Sequence, residues 1–201
     1  MKKLMMIAAL MVATLSANAQ DMFIKPMVGG TLSTLRGSDV EGNKMRLGLA
    51  AGAEFGYMFT EQFGATGGLL VSMQGSNFKD TDYTKDVSTT LTYLNVPMLA
   101  NYYIFPGFAV KAGVQFGFLL SAKHKASERL LEGSWHDYEQ SGTDGMKKFD
   151  FSIPLGISYE FSDFVIDARY NLGLTKINNS DYASKAYNSV IMLTLGYKIP
   201  L

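Results

Sequence analysis

The chain has 201 residues, with 18 basic and 18 acidic side chains, 20 glycines and no cysteine. The balanced charge argues against nucleic acid as a partner, and the lack of cysteine excludes disulfide bonds, thiol chemistry and a lipid-modified cysteine. Charged residues make up 18% of the chain, whereas soluble domains contain about 25%. The composition therefore favours a membrane protein.

The first 19 residues predict a cleaved secretory signal peptide. Lys2 and Lys3 precede an apolar run over residues 4–13 that is too short to span a bilayer, and Ala17-Asn18-Ala19 supplies the small residues of a cleavage site. Cleavage would leave residues 20–201 as a single domain with 16 basic and 18 acidic side chains, a net charge of −2. We therefore expect the protein to leave the cytoplasm.

Eight segments beyond the signal alternate between apolar and polar residues, as strands with two different faces do. They are residues 22–33, 46–59, 63–76, 91–105, 108–122, 149–161, 164–176 and 187–201. Short connections at residues 60–62, 106–107 and 162–163 alternate with long ones at residues 34–45, 79–90, 123–148 and 177–186. The pattern predicts an all-β fold, an eight-stranded antiparallel up-and-down transmembrane β-barrel with short periplasmic turns and long extracellular loops.

With the exception of Lys176, the last residue of its segment, the charges of these segments fall on one face. In residues 46–59 the uncharged face holds Leu47, Leu49, Ala51, Ala53, Phe55, Tyr57 and Phe59. A charge near the midplane of a lipid-facing surface costs about 2–4 kcal/mol, so the uncharged face should meet lipid. The other face should line the lumen with a network of Lys25, Arg46, Glu54, Lys111, Asp150, Glu160, Asp167, Arg169 and Lys198.

Alternation alone does not say which face is inside, so a soluble periplasmic lipocalin-like binding barrel is an alternative, with the apolar face inward. Two features favour the membrane barrel. A narrow lumen needs small residues, and the polar face holds Gly29, Gly48, Gly52, Gly56, Gly68, Gly113, Gly117, Gly156, Gly173 and Gly196. An interfacial girdle needs aromatic rings near the short turns, where Tyr57, Phe59, Phe63, Tyr102, Phe105, Phe108, Phe161, Phe164 and Tyr197 occur.

Several short motifs together resemble the PorT-like outer-membrane β-barrel family of Gram-negative bacteria. They are Val28-Gly29-Gly30-Thr31-Leu32-Ser33, Tyr93-Leu94-Asn95-Val96-Pro97-Met98-Leu99, Ala112-Gly113-Val114-Gln115-Phe116-Gly117, Asp167-Ala168-Arg169-Tyr170-Asn171-Leu172-Gly173-Leu174 and Leu195-Gly196-Tyr197-Lys198. The resemblance covers residues 20–201 and implies an eight-stranded barrel in the outer membrane. It implies no agreed activity, although one relative serves in protein secretion. The family would place an acidic and a basic residue where this chain has Asn95 and Asn101.

The charged lumen has two interpretations. Eight strands enclose an interior just wide enough for side chains to fill, so we interpret the nine charges as a plug of ion pairs that stiffens the barrel. A narrow pore is the alternative.

The chain offers little for catalysis. Its two histidines are His124 and His136, and Ser134, His136 and Asp137 stand too close on one extended segment to converge as a triad. We therefore expect no enzyme, no catalytic residue, no cofactor and no metal site. A membrane-embedded lipid-modifying enzyme is the competing hypothesis.

The loop over residues 123–148 is the expected contact surface. It carries Lys123, Lys125, Arg129, Trp135, Lys147 and Lys148, residue types suited to the phosphates of lipopolysaccharide or to a protein partner. A solvated loop with no partner is the other interpretation. We expect a monomeric, non-enzymatic outer-membrane protein with a structural or surface-interaction role, linked to protein secretion or envelope assembly.

Overall fold

The computed structural model describes residues 22–37, 43–79, 84–129, 135–178 and 186–201, with the backbone alone at residues 128 and 129. The predicted signal peptide, residues 1–19, lies outside the described residues. The strands are β1 (Met22–Gly37), β2 (Asn43–Lys44), β3 (Arg46–Met58), β4 (Phe63–Phe78), β5 (Thr84–Phe105), β6 (Phe108–Arg129), β7 (Trp135–Ser141), β8 (Phe149–Phe161), β9 (Phe164–Lys176), β10 (Ala186–Tyr197) and β11 (Ile199–Pro200). No helix in this part of the chain is long and apolar enough to cross a bilayer.

Eight long strands close into a barrel. The order around the wall is β1-β3-β4-β5-β6-β8-β9-β10, with every neighbouring pair antiparallel. The barrel is closed by β1 and β10, which pair from Met27 opposite Gly196 to Gly37 opposite Ala186. The short strands β2, β7 and β11 pair with β4, β6 and β1. The predicted eight-stranded up-and-down barrel is confirmed.

The side-chain alternation places the apolar face outside. The outward side chains of Val28, Leu47 and Leu193 are 61%, 74% and 57% exposed, whereas the inward side chains of Lys25 and Arg169 are each 2% exposed. A continuous apolar surface around the whole barrel requires lipid rather than water. The lipocalin-like alternative is wrong, because it requires the apolar face to point inward.

Aromatic rings surround the end of the barrel that carries the short turns. Phe59 stacks on Phe63 at 5.6 Å between ring centroids, and Phe105 stacks on Phe108 at 5.0 Å. At the third turn Phe161 and Phe164 stack at 5.7 Å, and other rings, such as Tyr197, contact them edge-on. Amphipathic and aromatic rings are favoured at the level of the lipid headgroups, so this end marks the periplasmic interface.

Two strands, β5 and β6, extend farther at the extracellular end than predicted. β5 begins at Thr84 rather than at residue 91, and β6 ends at Arg129 rather than at residue 122. The predicted loops 79–90 and 123–148 are therefore strand over much of their length. Both faces of a sheet meet water outside the membrane, so the alternation that identified the other strands disappears there.

The polarity of the outer face can be tested with two matched substitutions. Leu193→Lys puts a charge at the middle of the lipid-facing row of β10 and should lower the free energy of unfolding in lipid vesicles by about 2–4 kcal/mol. Leu47→Lys, near the extracellular end of β3, should cost only about 0–1 kcal/mol. Denaturant titration followed by far-ultraviolet circular dichroism measures both, and equal costs would contradict a membrane midplane at Leu193.

Candidate functional site

Five charged side chains meet in the middle of the lumen. Lys25 Nζ lies 2.9 Å from Glu54 Oε2, and Lys111 Nζ lies 2.6 Å from Asp167 Oδ2. Arg169 joins the two pairs: its Nη1 donates to Glu54 Oε1 at 2.5 Å and its Nε donates to Asp167 Oδ1 at 2.5 Å. Each carboxylate thus meets the guanidinium and at least one ammonium group, which makes one connected network.

The strand register brings the side chains of this network together. Lys25 on β1 is the register partner of Glu54 on β3, and Asp167 and Arg169 are two residues apart on β9, so they share a face. Glycines make room for the long side chains. A Cβ atom at Gly156 would lie 2.9 Å from Cγ of Arg169, too close for an unmoved neighbour.

A second, smaller ion pair lies nearer the periplasmic end. Lys198 Nζ is 3.0 Å from Glu160 Oε2, and the hydroxyl of Tyr103 donates to Glu160 Oε1 at 2.5 Å. The Lys198 ammonium also lies 4.5 Å from the centre of the Phe23 ring, a cation–π contact. This group is partly exposed, unlike the central five residues.

The remaining two predicted lumen residues form no ion pair within the described ranges. Asp150 accepts a hydrogen bond from the side-chain amide of Asn188 at 3.4 Å. Arg46 donates to Asn77 Oδ1 at 3.2 Å near the extracellular end. The structure therefore divides the nine predicted charges into a central network, a periplasmic pair and two separate residues.

The lumen also contains side chains that charge patterning did not indicate. Above the ion network lies a polar layer in which Asn95 donates to Ser72 at 2.8 Å and accepts from Gln115 at 3.3 Å. The extracellular end is closed by a buried apolar cluster of Leu35, Leu91, Tyr93, Leu119, Ala122, Ile177 and Ala186. The signal for this cluster was the set of leucines on the polar parity of their strands.

The burial of the network favours the plug over the pore. An aqueous channel leaves its lining side chains accessible to water, but Lys25, Glu54, Lys111, Asp167 and Arg169 are all at most 6% exposed. Burying charges is costly unless they are paired and hydrogen-bonded, and here they are. The arrangement can hold the barrel walls together from the inside.

Outside the barrel, β5, β6 and β7 form what we call the projecting sheet. β7 pairs with β6 from Lys123 opposite Ser141 to Arg129 opposite Trp135. Lys125 and Lys123 lie 3.0 Å and 3.7 Å from Glu139, and the hydrogen bond from Lys125 lowers the pKa of the Glu139 carboxyl. Two of the predicted contact lysines are thus already paired.

The other predicted contact residues do not form one loop. The Lys85 ammonium lies 4.5 Å from the centre of the Trp135 ring on the projecting sheet. Lys147 and Lys148 lie on the return to β8, where the backbone N–H of Lys147 donates to the Ile177 carbonyl at 2.8 Å. The backbone of Arg129 belongs to β6, and its side chain lies outside the described residues.

The histidines do not form a catalytic arrangement in the described part of the chain. His124 Nδ1 lies 2.9 Å from the hydroxyl of Thr89, and His136 lies on the exposed strand β7. Asp137 accepts from Ser127 at 2.7 Å, and Ser134 lies outside the described residues. Within the described ranges no group of three or more histidine, aspartate or glutamate side chains is placed to hold a metal ion.

Comparison with known proteins agrees with this architecture. A protein-family model described as "Outer membrane protein beta-barrel domain" matches residues 18–179. The chain is similar in fold to the attachment invasion locus protein Ail of Yersinia pestis, with 16% identity, coverage of 89% of this chain and 99% of that chain, and a TM-score of 0.51. For Ail in complex with the heparin analogue sucrose octasulfate the identity is 17%, the coverage 89% and 99%, and the TM-score 0.50. No curated protein sequence matches the chain.

Two Glu→Gln substitutions should lower the free energy of unfolding by different amounts, because one glutamate belongs to the buried central network and the other to the partly exposed pair. Glu54→Gln leaves three buried cations facing one carboxylate and should lower the free energy of unfolding by about 3–5 kcal/mol. Glu160→Gln removes a partly exposed pair and should cost only about 0–1 kcal/mol. Unfolding in micelles or vesicles measures both, and a larger loss for Glu160→Gln would contradict the central role of the network.

A measurement of ion conductance distinguishes the plug from the pore. Arg169→Ala removes the residue that joins the two halves of the network and should lower the thermal unfolding temperature without creating a channel, because the polar layer and the apolar cluster still fill the lumen. Single-channel recording in planar bilayers measures this. A large, stable conductance in the variant would refute the plug.

Proposed function

Because the chain belongs to the family of outer-membrane proteins with this β-barrel domain, we propose that it is a non-enzymatic protein of the Gram-negative cell surface that binds a protein partner through its projecting sheet. The barrel anchors the sheet in the outer membrane. The filled lumen supports a structural role for the barrel rather than transport.

The observation that carries the proposal is the exposed edge of β7. All seven residues of β7, Trp135–Ser141, are exposed, and among the described residues this strand pairs with β6 alone. A strand edge with unpaired N–H and C=O groups is a template for pairing with another chain. Soluble proteins protect such edges, so an exposed edge beyond the membrane is suited to strand addition by a partner.

The backbone register identifies which groups point toward the free edge. The N–H of Gly142 donates to the carbonyl of Ala122 at 3.0 Å, so this pair is hydrogen-bonded to β6. In an antiparallel ladder such pairs alternate with pairs whose backbone groups point away. Counting along β7, the N–H and C=O groups of Asp137 and Glu139 point toward the free edge, where a partner strand would bind.

The side chains of β7 would supply specificity. Trp135, Asp137 and Glu139 share one face of the projecting sheet, and His136 and Tyr138 share the other. Aromatic side chains contribute strongly at interfaces, and charges at the rim favour complementary partners. A partner segment with alternating aromatic and basic residues would fit the first face.

The pathway rests on the resemblance to the PorT-like family. A relative in that family serves in protein secretion, which supports a role of this chain in secretion or in envelope assembly. The predicted signal peptide, residues 1–19, would deliver a monomer to the outer membrane. The partner would then be a secreted or surface-exposed protein.

A single proline tests strand addition. Asp137→Pro removes an N–H that points away from β6, so it should leave the projecting sheet folded but block a partner strand. Asp137→Ala is the matched control, because it removes the same side chain and keeps the N–H. Crosslinking in intact cells from a photoreactive residue at position 139, followed by mass spectrometry, should recover the partner with wild type and Asp137→Ala but not with Asp137→Pro.

A deletion provides the complementary result. Ala126 and Tyr138 are register partners and, by the same count, a hydrogen-bonded pair, so replacing residues 127–137 by Asn-Gly closes a two-residue hairpin between them. The shortened protein should keep the barrel and its heat resistance in detergent gels and should lose the partner. Unchanged partner recovery from either Asp137→Pro or the deletion would remove the β7 edge from consideration.

A further inference from the structure

Cationic side chains form a row on the lipid-facing side of the barrel, at its extracellular end. Arg36 on β1 is the register partner of Tyr187 on β10, which is in turn the register partner of Lys176 on β9. Register partners share a face, and Arg36 lies on the same face as the exposed Leu32. The side chains of this row therefore point outward. Lys147 lies beside its end, bonded through its N–H to the carbonyl of Ile177.

The guanidinium of Arg36 is held in place within this row. It lies 6.0 Å from the centre of the Tyr187 ring, and its Nη2 donates to the carbonyl of Gly173 at 3.2 Å. That carbonyl lies where the register of β9 against β10 shifts, between the pairs of Tyr187 and Ser189. The remaining guanidinium N–H groups are left to bind an anion at a fixed position.

Charge distinguishes this row from the lysines of the projecting sheet. Lys123 and Lys125 are both paired with Glu139. In the part of the chain that the structure describes, no carboxylate lies within ion-pair distance of Arg36, Lys176 or Lys147. The row is therefore the better site for an anion supplied from outside.

The height of the row matches the outer lipid headgroups. Tyr187 and Tyr197 lie at opposite ends of β10, and Tyr197 belongs to the periplasmic girdle. Ten residues at about 3.4 Å each, tilted by about 40°, span about 25 Å, which is the height of the apolar band of such barrels. Phosphate groups of outer-leaflet lipid lie at this level.

A shallow apolar groove of about 570 Å³ lies below the row on the same wall. Its sides are Leu155, Ile157, Tyr170 and Ile191, and the backbone of Gly156 and the small side chain of Ala168 form its floor. Ile191 is four residues from Tyr187 along β10, a distance of about 13 Å. A phosphate at the row and an acyl chain in the groove can therefore belong to one lipid.

We infer that this wall is a binding site for the phosphorylated glycolipid of the outer leaflet, lipid A. Arg36, Lys176 and Lys147 bind its phosphate, and the groove over Gly156 and Ala168 takes an acyl chain. The site lies on the β8-β9-β10-β1 wall, apart from the β7 edge, and does not depend on a protein partner. It would fix the orientation of the barrel in the outer leaflet.

The test is the affinity of the purified protein in micelles for fluorescent lipid A. Arg36→Ala with Lys176→Ala should weaken binding by about tenfold or more, because charge-assisted hydrogen bonds are lost. Lys123→Ala with Lys125→Ala is the matched control, since it removes the same charge, and it should leave the affinity within about twofold. Unchanged thermal unfolding temperatures show that the variants are folded.

Three probe ligands and one further variant assign the ligand. Dephosphorylated lipid A should bind to wild type as weakly as lipid A binds to the double variant, and Ala168→Phe, which fills the groove, should weaken lipid A binding. Phosphatidylglycerol should bind more weakly than lipid A, and millimolar inorganic phosphate should not displace lipid A. Equal loss in the two double variants, equal binding of phosphatidylglycerol or displacement by inorganic phosphate would overturn the assignment.

Discussion

The exclusion of charge from the hydrocarbon layer is the constraint on which this structure depends. It leaves the apolar band of the outer wall without ionised side chains and sends the charges of the membrane-spanning segments inward, where the central five are cut off from water as well. Buried charges are tolerated only when paired, and Arg169 meets this requirement by contacting both Glu54 and Asp167. The same physical cause thus produces the apolar wall and the ionic plug.

The constraint does not apply beyond the membrane, and there the outer surface of the protein is polar and charged. β5 and β6 continue past the apolar band as a water-exposed sheet, and β7 adds an exposed edge to it. Cations return to the outer surface at the same height, with Arg36 and Lys176 as the first members. The membrane-embedded part is therefore built for stability, and the residues available for recognition lie at and beyond the outer interface.

Much of the barrel could be predicted because lipid imposes a pattern that sequence reveals directly. The bounds of β9 agree with the prediction, and the inward position of Lys25 and Arg169 follows from parity. The extensions of β5 and β6 could not be predicted, because a sheet in water on both faces has no such alternation. The partner of each lumen side chain could not be predicted from the sequence either. Parity places Asp150 and Arg46 in the lumen, but it does not say that Asp150 meets Asn188 rather than a cation.

Labelling from the lipid phase tests the central claim on the unmodified protein. A photoactivated hydrocarbon carbene dissolved in the bilayer should modify Ile191, Leu193 and Leu195, which face lipid, and should spare Val190 and Met192, which are equally apolar but buried in the lumen. Mass spectrometry at residue resolution gives the answer. Alternating modification confined to the odd-numbered residues is the predicted result, and modification of Val190 and Met192 in place of their neighbours would contradict the account.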